Sequence, residues 1–138
     1  METLVETMKT KKNVKQHEAW MAGDIAHQGD IIFVALKKLP KNATVRKNRQ
    51  IFEGNTSGSR HVVIGGTVYT VPNDILSKLL KEEHNITIDE KYIGPVFSGA
   101  CVVEHPEHMH QEFPDHCATV VLFQRNLDAE EREIKARD

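Results

Sequence analysis

Apolar and polar positions along the chain alternate in short runs, and only one interior stretch keeps the period of a helix. Ile31 to Leu36 is apolar throughout and rich in β-branched residues. That pattern predicts a strand buried on both faces, entered through the turn residues Gln28-Gly29-Asp30 and stopped before Pro40. His61 to Ile64 and Thr67 to Val71 read as two further strands. Gly65-Gly66 between them supplies the positive φ that a two-residue turn requires, so a hairpin is predicted there, ended by Pro72. Ile75, Leu76, Leu79 and Leu80 recur at helical spacing behind Asn73, a candidate N-cap, and predict one helix over about residues 73–83. Val96 to Val103 and Cys117 to Gln124 predict an antiparallel pair around a polar loop. Arg49 to Glu53, Ile86 to Ile88 and Tyr92-Ile93 add short strand-like pieces, and Lys41 to Asn48 reads as a polar connection. The sum is a mainly β fold, a small antiparallel β-barrel or β-sandwich with one interior helix.

Composition sets the boundaries around that core. At 138 residues, with 39% apolar and 28% charged side chains, the chain is one ordinary globular domain. Charge concentrates at both ends, so residues 1–16 read as an N-terminal arm, 17–126 as the β-domain and 127–138 as a charged tail. A net charge of −2 disfavours nucleic acid as a partner, because phosphate contacts need a basic face. No apolar run approaches the roughly 20 residues that span a bilayer, and residues 1–20 carry no apolar signal-peptide core. With only two cysteines, Cys101 and Cys117, the expected setting is a reducing one, the cytoplasm or a virion assembled in it. The cysteines read as core residues, or as soft ligands if a hairpin centred near Met109 brings them face to face.

The candidate chemistry lies in the polar loop. Four of the eight histidines fall between His105 and His116, in His105-Pro106-Glu107-His108-Met109-His110 and Asp115-His116. Imidazoles and carboxylates are the ligand set of zinc and its first-row neighbours. Pro106 disfavours a regular helix through His105 and His108, so these two belong to a turn or a strand end. His61 opens a different strand after a glycine-containing loop, so two hairpins can supply one centre. The expected ligands are His61, His105, His108 and His110, with Glu53, Glu104 and His116 as additional candidates. The expected cofactor is a divalent metal, most simply zinc. No Cys-x-x-Cys or His-Glu-x-x-His signature is present. Ser57 and Ser59 lack the strand-turn-helix elbow of a nucleophilic serine, and no distinctive base stands out, so no catalytic residue is assigned.

These features also resemble a family of small uncharacterised β-rich proteins of bacteria and their phages. The family pattern is Glu-Gly-x-x-x-Gly-His-x-His, then His-x-x-His, then a strand ending in Gln-Arg. Here Glu53-Gly54, Gly58-Ser59-Arg60-His61, His105-Pro106-Glu107-His108 and Gln124-Arg125 carry the resemblance, with Ser59 standing in place of the first histidine. The resemblance implies a shared β-fold and a histidine site but no activity. Three readings follow from the sequence: a β-domain holding a metal for a structural or binding role, a virion or capsid-decorating component associating through its charged arms, and a cupin-like metal enzyme.

Overall fold

The period-2 runs come together as one sheet. The computed structural model describes residues 14–29, 31–51, 61–105, 109–115 and 117–123. Its strands are β1 (Val14–Gln16), β2 (Ile25–Gln28), β3 (Ile31–Leu36), β4 (Thr44–Val45), β5 (Val62–Thr70), β6 (Ile93–Glu104), β7 (His110–Phe113) and β8 (Ala118–Phe123). One helix, α1 (Asn73–His84), separates β5 from β6, followed by a single 3₁₀ turn at Glu90–Tyr92. Among the described residues the expected mainly β fold with one interior helix is what forms, as a strongly curled half-barrel. Its curl follows the order β1-β7-β6-β8-β3-β2, and β5 leaves this path on the other edge of β6, carrying β4 beyond it. All pairings are antiparallel except β1 with β7.

Branching of the sheet traces to β6. Its first half pairs with β8, Val96 opposite Val120 and Ser98 opposite Ala118, while its second half pairs with β7, Cys101 opposite Phe113 and Val103 opposite Gln111. Between the halves lies Gly99 at φ +87°, against Gly66 (φ +61°) of β5, while the neighbouring Gly65 (φ +83°) pairs with Cys101. The predicted Gly65-Gly66 hairpin is therefore corrected. β5 runs straight through as a single strand, pairing with β6 on both sides of a register shift between Gly65 and Thr67. Positive φ at a glycine pair serves a bulge as readily as a turn, and here the continuous partner strand decides for the bulge.

β3 explains why its sequence is apolar throughout. Ile31, Phe33 and Ala35 enter one core cluster, and Ile32, Val34 and Leu36 enter the other. The first cluster collects side chains from β2, β3, β5, β6, β7 and β8, so it fills the inside of the curl. Phe33 of β3 and Phe113 of β7 meet there at 4.9 Å between ring centroids, although two strands separate them in the sheet. Leu76 and Leu80 of α1 cover the second cluster, on the other face.

Several local expectations differ in detail. Asn73 does not cap α1. Pro72 precedes the helix, and the Asn73 side chain donates Nδ2–H to the Glu90 carbonyl at 2.8 Å, tying α1 to the 3₁₀ turn. Ile86 to Ile88 is not a strand, and Tyr92 belongs to the 3₁₀ turn. Thr44–Val45, inside the expected polar connection, forms β4. Val14–Gln16, assigned by charge to the arm, joins the sheet through β7. Residues 1–13 and 124–138, which hold the rest of the arm and the tail, lie outside the described residues. Among the described residues no helix is long and apolar enough to cross a membrane.

Candidate functional site

A half-barrel leaves strand edges to be satisfied, and two buried glutamines do part of that work here. Gln28 ends β2, at one end of the curled path. Its Nε2 donates to the Val103 carbonyl of β6 at 3.0 Å and to the Met109 carbonyl at 2.9 Å. Gln111 of β7 reaches the opposite way and donates Nε2–H to the His27 carbonyl of β2. Both side chains are almost fully buried. They join β2 to β6 and β7 without a continuous ladder, which brings the two margins of the curl together.

Each amide also orients a histidine. The two carbonyl partners identify the Gln28 nitrogen, so its Oε1 faces His61 Nδ1 at 2.8 Å and must accept. His61 therefore carries its proton on Nδ1 in the neutral ring, leaving Nε2 as the basic nitrogen. His61 and His105 sit one step beyond the Val62–Glu104 pair, on the same face as Val63 and Val103. Both are fully buried, and their ring centroids lie 4.3 Å apart at 40°. Two imidazoles predicted from separate segments thus meet inside the curl.

The other candidates are placed differently. Continuing the β6–β7 register sets His110 opposite Glu104, and strand alternation turns both to the face away from His61 and His105. His110 is buried on that other face and Glu104 is partly buried. His108, His116 and Glu53 lie outside the described residues. Among the described residues, no three His, Cys, Asp or Glu side chains converge as a metal would require. His110 also begins β7, so the expected loop contains a strand.

The cysteines do not face each other. Cys101 lies opposite Phe113 in the interior cluster, roughly 13 Å along β6 from His105 at strand rise. Burial pushes its thiol up to about 12, with the Arg49 charge opposing and Glu112 adding to the shift. The Cys117 thiol is also raised, by burial first and by Asp24 second, and donates to the Trp20 carbonyl at 3.0 Å. Both therefore remain protonated core groups at neutral pH.

His17, directly after β1, is the second oriented histidine. Its Nε2 donates to Gln111 Oε1 at 2.9 Å, and its ring stacks on Phe113 with centroids 4.8 Å apart and planes 17° apart. Trp20 closes the other contact at 4.9 Å. Burial in this aromatic setting lowers its pKa, Lys15 lowers it further, and the Gln111 bond and Asp24 pull the opposite way. Because the folded pKa lies below the unfolded value of about 6.5, stability from this group is complete above that pH and is lost as pH falls through the folded pKa. His84 is shifted in the same direction, mainly by burial. Denaturant midpoints measured from pH 7.5 to 4.5 are expected to fall below about pH 6.5, with a shallower fall in His17→Phe. Equal slopes in the two proteins would show that His17 does not take up the proton on unfolding.

Gln28, Gln111 and His17 are the network residues that sequence reasoning passes over. A glutamine inside a strand ordinarily reads as solvent-facing. The available signal was alternation, since Gln28 shares a face with buried Ala26 and Gln111 shares one with buried Phe113. No protein-family model matches the chain, and comparison with curated proteins and with solved structures also returns no match.

Proposed function

We propose that this β-domain holds a divalent metal, most simply zinc, between His61 and His105, in a structural or ligand-binding role. The Gln28–His61 hydrogen bond carries this reading. Metal-ligating histidines characteristically donate their second ring N–H to an oxygen acceptor, which fixes the tautomer and aims the other nitrogen at the ion. Gln28 holds His61 in that state. The ring spacing fits with small adjustment. Zinc–nitrogen bonds of about 2.0–2.1 Å in a tetrahedral shell put two imidazole centroids roughly 5 Å apart, within about 1 Å of the observed pair. His108, three residues after His105, is the sequence's candidate for a third ligand, with water completing the shell. The sequence offers no distinctive general base beyond its glutamates, so a binding role is preferred to catalysis.

Metal content of the untagged protein tests this directly. We expect close to one equivalent of zinc, or uptake of one equivalent by chelator-treated protein. His61→Ala and His105→Ala are each expected to weaken zinc by at least about a hundredfold, with circular dichroism confirming that the variants fold. Less than about a tenth of an equivalent in the purified protein, with no saturable uptake on titration, would refute the reading.

A further inference from the structure

A second site lies where the starts of α1 and β6 meet the end of β8. There a cavity of about 380 Å³ opens, with Arg46 and Asn73 in its lining. That volume is at the lower end of the roughly 300–1,000 Å³ typical of small-molecule sites, which recur at the mouths of β-barrels. Its walls are mainly apolar, formed by Ile51, Val71, Ile93, Pro95 and the Phe123 ring. Gly94 keeps one wall clear, since a Cβ there would stand 3.0 Å from the Phe123 ring.

Arg46 is the one charged side chain among the described residues of this lining, with no Asp or Glu beside it. Among the described residues its side chain makes one hydrogen bond, from Nη2 to the Gln50 carbonyl at 2.6 Å, and no ion pair. That bond anchors the half-buried guanidinium while leaving the rest of its planar fork available. Asn73, by contrast, already spends its Nδ2 on the Glu90 carbonyl. A fixed guanidinium beside apolar walls matches a planar, singly charged acceptor joined to a hydrocarbon body. A phosphate dianion would call for more positive charge than one arginine supplies.

We infer that this cavity binds small monocarboxylates with a short aliphatic or aromatic body, the carboxylate on Arg46 and the body against Ile93, Val71 and Phe123. None of its described lining residues is a histidine, so binding here does not draw on the proposed metal ligands.

The test is a titration of isotope-labelled, chelator-treated protein with hexanoate, followed by NMR. Saturable shifts are expected at Arg46, Val71, Ile93 and Phe123. Hexanamide, which keeps the body and loses the charge, should bind at least about tenfold more weakly, and inorganic phosphate should give no saturable shift there. Arg46→Met should reduce hexanoate binding to the hexanamide level, while Arg46→Lys keeps part of it. Equal binding of hexanoate and hexanamide, wild-type affinity in Arg46→Met, phosphate binding as well as hexanoate, or the absence of saturable shifts at these residues would each overturn the assignment.

Discussion

Gln28→Leu is expected to lower the free energy of unfolding by about 3–5 kcal/mol. Leucine is close in volume, so packing changes little, but three hydrogen bonds disappear together. The Val103 and Met109 carbonyls lose the donors that Gln28 supplies, and the buried His61 Nδ1–H loses its acceptor. Each buried polar group left unpaired costs about 1–3 kcal/mol, and a small domain has only about 5–15 kcal/mol in total. Urea unfolding followed by tryptophan fluorescence reads the loss, because Trp20 is buried in the interior cluster. Gln28→Glu separates the two halves of the effect. It keeps an acceptor for His61 but offers the two carbonyls no donor when ionised. A loss below about 1 kcal/mol in Gln28→Leu would mean that the closure of the curl does not depend on this amide.

Gly66→Ala is the second large effect, expected at about 3–4 kcal/mol. A Cβ on Gly66 would stand 2.4 Å from the Ser98 carbonyl oxygen and 3.2 Å from that of Gly99, both backbone atoms that cannot rotate aside. The left-handed φ of +61° adds its own penalty for any residue with a side chain. Gly23→Ala is the internal control. Its φ is +94° with nothing within 4 Å of the added Cβ, so it should cost only the conformational share, about 1–2 kcal/mol. Equal costs at the two positions would show that the β5 and β6 backbones do not approach closely at the bulge.

This bulge marks where local reasoning reached its limit. Gly65-Gly66 announces positive φ, and φ is positive at both residues. Whether the chain then reverses or continues depends on what lies alongside. β6 pairs with both halves of β5, so the strand continues and the one extra residue on β6 absorbs the offset. The histidines divide in the same way. A composition of imidazoles and carboxylates marked the stretch from His105 to His116, but the face each side chain takes follows from the β6–β7 register. Once His110 begins a strand opposite Glu104, it cannot share a face with His105.

By itself, the order of apolar and polar residues determined the strand-dominated class, the doubly buried β3 and a helix over about residues 73–83, which forms as Asn73–His84. These depend on side-chain period and on burial, which are written locally. Tertiary structure alone decided that β6 splits its partners between β7 and β8, that β1 joins in parallel, and that Gln28 and Gln111 turn inward to hold β2 against β6 and β7. The reason is that a glutamine has no inherent side. It is buried only where distant backbone carbonyls are brought within reach of its amide, and that condition exists only after the sheet has curled.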